Sequence, residues 1–128
     1  MRILLADNQV RVRFALRALL DQQPGLTVVG EAGEVGEALL QVETSHPDLV
    51  LLDWDLRGSV LELLSAMHTA YPELKVIALS ARPEMRQSIL AAGVEAFVSK
   101  TDPPERVLEA IRDVGLIRSD SNDKHELR

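Results

Sequence analysis

With 128 residues, 46% of them apolar and 27% charged, the chain has the size and balance of one globular domain. Only Phe14, Trp54, Tyr71 and Phe97 are aromatic, so its core must be aliphatic, and the lack of cysteine excludes disulfides, thiolate metal sites and a cysteine nucleophile. The formal charge of −6, concentrated in residues 1–64, argues against a non-specific nucleic-acid footprint, and no apolar run approaches the roughly 18 residues of a membrane span.

Ile3-Leu4-Leu5-Ala6 is an unbroken apolar run ending at Asp7, the pattern of a short strand buried on both faces. The acid also arrives too early for a secretory signal peptide. Val12, Leu16, Leu19 and Leu20 then share one helical face, and Pro24-Gly25 ends that helix. Leu26 to Val29 reads as a second strand, rich in β-branched residues. Val35, Ala38, Leu39 and Val42 repeat the helical spacing as far as His46-Pro47, since the residue before proline avoids the helical region. Leu49-Val50-Leu51-Leu52 is a third buried strand and again runs into an acid, Asp53. Val60, Leu61, Leu64 and Met67 mark a helix closed by Pro72, and Val76 to Leu79 is a strand followed by Ser80. A weaker helix is expected from about Pro83 to Ala92, with Gly93 past its end. Val94 to Val98 is the fifth strand, leading into Ser99 and Lys100. Val107, Ala110, Ile111 and Val114 mark a last helix behind Pro103-Pro104. Arg11, Arg13 and Arg17 read as a solvated helix face, and residues 116–128 as a polar tail or linker stub.

Aliphatic strands alternating with helices imply a parallel sheet covered on both faces, and such sheets bind ligands beyond the carboxyl ends of their strands. The residues at those ends are Asp7-Asn8, Asp53, Ser80 and Lys100. Two carboxylates attract a divalent cation, an amide oxygen can add a ligand, and Mg2+ suits oxygen donors. A hydroxyl and an ammonium opposite them suit a phosphoryl group, and a carboxylate can itself be the nucleophile that forms an aspartyl phosphate.

The motifs that carry a family likeness are Leu-Leu-Ala-Asp-Asn at 4–8, Val-Arg-x-Ala-Leu-Arg-Ala-Leu-Leu at 12–20 and Val-Val-Gly-Glu-Ala at 28–32. They continue with Pro-Asp-Leu-Val-Leu-Leu-Asp at 47–53, Leu-Ser-Ala at 79–81 and Ala-Gly-Val-Glu-Ala-Phe-Val-Ser-Lys at 92–100. In order and spacing the chain resembles a receiver domain of bacterial two-component response regulators, in the branch usually joined to a helix-turn-helix output domain. The resemblance implies a flavodoxin-like (βα)5 three-layer sandwich with parallel order 2-1-3-4-5, residues 1–115 forming the receiver. It implies that Asp53 is the phosphoacceptor, that Asp7 belongs to the acidic pair holding magnesium, and that the Asp55 backbone carbonyl is a further ligand. Lys100 would pair with the phosphoryl group, Ser80 would be the switch hydroxyl, and Phe97 the aromatic whose rotamer follows it. A sensor histidine kinase would donate the phosphoryl group, in the cytoplasm. The domain would act as a switch on a downstream protein, with a homodimer as a further partner, and not as a turnover enzyme.

The chain departs from the family pattern in three places. Asn8 stands where the family usually has a second acid, which implies weaker magnesium binding. In the loop Asp53-Trp54-Asp55-Leu56-Arg57-Gly58, Arg57 replaces the usual proline and is expected to bring a cation near the site, with Trp54 beside the acceptor as a second modulator and a natural probe. Thr101 follows Lys100 where many receivers have proline. Asn8 and Arg57 motivate a rival reading, a degenerate receiver that signals by protein contact alone. A small phosphate-ester hydrolase is a third possibility, but it lacks a second acid two residues after a first-strand nucleophile. Because the sequence ends soon after the receiver, it is expected to act through a partner protein and not by touching DNA.

Overall fold

The computed structural model describes residues 1–115, so the tail expected at 116–128 lies outside the described residues. Strands β1 (Arg2–Ala6), β2 (Thr27–Ala32), β3 (Leu49–Asp53), β4 (Lys75–Ser80) and β5 (Ala96–Ser99) form one parallel sheet in the order β2-β1-β3-β4-β5. Helices α1 (Val10–Asp21), α2 (Val35–Ser45), α3 (Val60–Ala70), α4 (Arg86–Ala91) and α5 (Glu105–Asp113) connect and follow them. This is the flavodoxin-like arrangement implied by the sequence.

The continuous apolar runs are explained by period-two alternation into two separate cores. Leu4, Ala6, Val50, Leu52, Val76, Ala78 and Phe97 face one core, shared with residues of α2, α3 and α4. Ile3, Leu5, Leu49, Leu51, Ile77, Leu79 and Val98 face the other, shared with α1 and α5. Burying a leucine or isoleucine stabilises by about 1.5–3 kcal/mol, so the central strands supply much of the drive.

Several element bounds differ from the sequence reading, each for a local reason. β2 continues through Gly30 and Glu31 to Ala32, because as an edge strand it is only half buried and needs no unbroken apolar run. Val94 is buried but precedes β5, which starts at Ala96. The weak fourth helix is a 3-10 turn at Pro83–Met85 followed by the short α4. On α3 the inward position is Leu63, while Leu61 is exposed. Ser59 caps α3, its Oγ accepting from the Glu62 N–H at 3.3 Å.

The strand order is what builds the site. β1 lies between β2 and β3, so the connections leave it in opposite directions, and a crevice opens where that switch occurs. Ala6 pairs with Leu52, which makes Asp7 and Asp53 the next positions along two neighbouring strands. Leu79 on β4 pairs with Asp53, and Ser80 pairs with Ser99 on β5.

The loop after β3 is pinned to α2. The Val35 N–H donates to the Arg57 carbonyl at 2.9 Å, and Gly58 has φ +108°, with an added Cβ only 2.8 Å from Val35 Cβ. Gly58→Ala is therefore expected to destabilise the domain by about 2 kcal/mol, from left-handed backbone strain plus the clash. Urea unfolding measures this, and a loss within experimental scatter would mean that the loop can simply move away.

Candidate functional site

Asp7 and Asp53 are each 1% exposed, and Ser80 is fully buried. Such acids are rarely buried without a partner. Theirs is Lys100, whose Nζ lies 2.7 Å from Asp7 Oδ2 and 3.2 Å from Asp53 Oδ1. The lysine follows β5, with β4 between it and the carboxylates, and its backbone N–H is fixed by the Ser80 carbonyl at 2.8 Å. The turn that follows each strand adds one backbone donor to each carboxylate. Asp7 Oδ1 accepts from the Gln9 N–H at 2.8 Å, and Asp53 Oδ1 accepts from the Asp55 N–H at 2.9 Å. The N-cap of α1 is Gln9. Asp53 Oδ2 is buried and has no hydrogen-bond partner among the described residues.

Burial pushes the Asp7 carboxyl above its ordinary range. The Lys100 ammonium and the Gln9 N–H oppose that rise, while the neighbouring Asp53 charge adds to it. Two carboxylates with one ammonium leave a net negative, oxygen-rich pocket that a cation would complete.

Asn8 is exposed at the rim, and its side-chain amide donates to the Asp55 carbonyl at 3.3 Å, which brings together the two extra donors expected of the site. The Ser80 Oγ accepts from the Arg82 N–H at 3.0 Å. Phe97 is buried, and the Arg86 guanidinium lies 5.7 Å from its ring centre. Trp54 is half-buried beside the acceptor, its backbone N–H bonded to the Leu79 carbonyl at 2.8 Å.

Arg57 is exposed and engages α2 through its backbone carbonyl, whereas the guanidinium that meets Asp55, at 2.7 Å, belongs to Arg82. Nothing in the local sequence around Arg82 marked it, because its role comes from the β4 loop lying beside the β3 loop.

Arg13 and Arg17 are also not the free solvated face that helical spacing suggested. Their Nε atoms donate to the two oxygens of Glu31 at 3.0 and 2.8 Å, and a second arm of Arg13 donates to the Asp7 carbonyl. Burial alone would raise the Glu31 carboxyl, but Arg17 and Arg13 together outweigh it and hold it below its ordinary range. A charged residue inside a strand and two arginines one helical turn apart were the available signal.

Residues 3–112 match the family model described as the response regulator receiver domain. Among curated proteins the chain is similar to the transcriptional activator protein ExaE of Pseudomonas putida, at 40% identity over 118 residues, covering 89% of this chain and 55% of that protein. It is also similar to the DNA-binding transcriptional activator DevR/DosR of Mycobacterium tuberculosis, at 34% over 121 residues, covering 92% and 56%. The chain spans about half the length of the curated relatives it matches. Among solved structures, a LuxR-family two-component response regulator from Aurantimonas sp. SI85-9A1 superposes with a TM-score of 0.81 at 26% identity, covering 98% and 92% of the two chains. The response regulator domain of Thermotoga maritima CheB gives 0.75 at 25%, covering 93% and 98%.

The buried charges predict a pH signature. Asp7 has a raised carboxyl, so the folded state takes up a proton more readily than the unfolded chain. Its contribution to stability therefore grows as pH falls from neutral through that raised value, and levels off below the unfolded one. Glu31 acts oppositely, its contribution being lost as pH falls through its lowered value. Asp7→Asn is expected to stabilise the domain at pH 7 by on the order of 1 kcal/mol. The difference between wild type and variant should shrink as pH falls. Urea midpoints across pH measure both, and a variant less stable than wild type at pH 7 would contradict this account.

Proposed function

The chain belongs to the response regulator receiver domain family, and on that premise we propose that it is a phosphoacceptor switch of a two-component system. In this reading Asp53 takes a phosphoryl group from a sensor histidine kinase. The single observation that carries it is the pair of buried carboxylates, Asp7 and Asp53, sharing the half-buried Lys100, with Asp53 Oδ2 left open. A structural role would not bury two like charges against one ammonium.

The donor set suits magnesium. The Asp7 and Asp53 carboxylates, the Asp55 carbonyl and the Asn8 amide oxygen are hard oxygen donors, and the unpartnered Asp53 oxygen is the kind of atom a cation satisfies. Asn8 would have to turn its amide, since its nitrogen now faces the Asp55 carbonyl. When bound, magnesium would draw charge from the phosphoryl oxygens.

The protein's own groups do the rest. An Asp53 carboxylate oxygen attacks phosphorus, a P–O bond forms, the P–N bond to the kinase imidazole breaks, and the imidazole nitrogen keeps the electron pair and takes up a proton. Lys100 shifts its ammonium from Asp53 Oδ1 to the new phosphoryl oxygens. Ser80 donates its hydroxyl proton to one of them, and Phe97 follows into the space that Ser80 vacates. The result is a population shift in the surface formed by α4 and β5, stabilised only while the phosphoryl contacts exist. Water later cleaves the acyl phosphate, so the domain is a timed switch. Its partners are the kinase, a downstream protein and a second copy of the domain. A cytoplasmic setting suits this chemistry, and among the described residues no helix is long and apolar enough to cross a membrane.

Trp54 provides the test. Its fluorescence is expected to change on adding magnesium and again on adding beryllofluoride, with acyl-phosphate labelling by a small phosphodonor. All phosphoryl-dependent responses should vanish in Asp53→Ala. A wild type that gives neither a fluorescence change nor labelling at high magnesium would favour the receiver that signals by contact alone, a reading to which the uncharged Asn8 lends weight. Asn8→Asp is expected to tighten magnesium binding roughly tenfold, since it adds a unit charge a few ångströms from the ion. The same titration measures it.

A further inference from the structure

Asp55 and Arg82 close a ring over the acceptor. The Asp55 N–H donates to Asp53 Oδ1 at 2.9 Å, the Arg82 N–H donates to Ser80 Oγ at 3.0 Å, and the Arg82 guanidinium donates to Asp55 Oδ1 at 2.7 Å. Each residue is tied by its backbone to one of the two groups that would meet a phosphoryl oxygen, and by its side chain to the other residue. The side chains themselves are 48% and 52% exposed. An ion pair that open to water contributes little to stability and exchanges easily.

Resting on the phosphoacceptor reading above, we propose that Arg82 is a second cation for the phosphoryl group, detained by Asp55 until that group arrives. Asp55 stands two residues beyond the acceptor and offers the guanidinium a single negative charge. A phosphoryl group on Asp53 carries about −1.5 to −2, with three strong acceptor oxygens. It repels the Asp55 carboxylate and offers oxygens that the guanidinium fork can engage at higher charge than its single bond to Asp55, so the guanidinium changes partner. Lys100 does not suffice for this work, because its one ammonium is divided between Asp7 and Asp53. Asn8 sharpens the need, since a site with one carboxylate fewer holds its metal less firmly and relies more on cations from the protein. Arg82 also immediately precedes the turn Pro83–Met85 that leads into α4. Its change of partner therefore acts at the start of the segment expected to move.

The test is a beryllofluoride titration at saturating magnesium, read by Trp54 fluorescence and by calorimetry. Both side chains are exposed, so the variants are expected to fold. Arg82→Ala should weaken beryllofluoride binding roughly tenfold, the worth of one charge-assisted hydrogen bond. Asp55→Ala should strengthen it roughly threefold, the worth of releasing an exposed pair. The double variant should match Arg82→Ala alone, because Asp55 acts here only by detaining the arginine. Unchanged binding in Arg82→Ala overturns the proposal. So does a double variant that keeps the Asp55→Ala gain, which would mean simple repulsion by Asp55. A wild type that does not bind beryllofluoride overturns the phosphoacceptor reading itself. Normal wild-type binding with an indifferent Arg82→Ala overturns only the role of the arginine.

Discussion

Two carboxylates buried side by side must share one ammonium, and most of the structure around them follows from that requirement. Asp7 and Asp53 are adjacent because β1 and β3 are neighbours in the sheet and the Ala6–Leu52 register brings their ends level. Any strand order that separated β1 from β3 would separate the acids. Lys100 must then come from beyond β4, which needs a long side chain and a fixed starting point. Ser80 supplies that point with its carbonyl. The arrangement is costly, since a single cation leaves one negative charge in excess and Asp7 shifts toward protonation. A fold selected for stability alone would replace one of the acids.

The rest of the domain carries that cost by being unambiguous. Strands whose side chains alternate between two aliphatic cores leave little freedom of register, since a slip by one residue would exchange every contact on both faces. The buried side-chain oxygens left without a hydrogen bond among the described residues, Asp7 Oδ2 and Asp53 Oδ2, lie at the carboxyl end of the sheet, where a rigid scaffold can present them. Gly58, with its positive φ against Val35, shows how tightly even the loops at that end are seated.

The parts of this arrangement legible in the sequence were those encoded locally. Apolar runs ending in Asp7, Asp53, Ser80 and Lys100 marked both the strands and the positions that gather at the sheet edge. Motif order identified the family and hence the strand order. What stayed hidden depends on which loops become neighbours in space. By spacing Arg57, four residues from the acceptor, is the natural local cation, yet its carbonyl is bonded to α2, and the guanidinium on Asp55 is that of Arg82, which follows the next strand. Helical spacing placed Arg13 on the polar side of α1 without revealing that Glu31 of the edge strand lies opposite. The apolar signature of β2 is shorter than the strand itself, because its half-buried continuation through Gly30 and Glu31 lacks the pattern of a central strand.

The distribution of cations around the site bears on the role proposed for Arg82. Arg13 and Arg17 are committed to Glu31, whose two oxygens hold them in a half-buried clamp, and Arg13 is further engaged by the Asp7 carbonyl. Removing either from that clamp would leave a carboxylate already held below its ordinary range without one of its partners. Lys100 is half-buried and shared between two acids. Arg86 covers the Phe97 ring, on the side of the sheet where the output movement is expected. Arg82 alone among these combines a hydrogen-bonded tie to Ser80, a partner anchored to Asp53, and enough exposure for that partner to be exchanged at little cost. Strong pairs therefore hold the site together, and a weak pair gives it something to change.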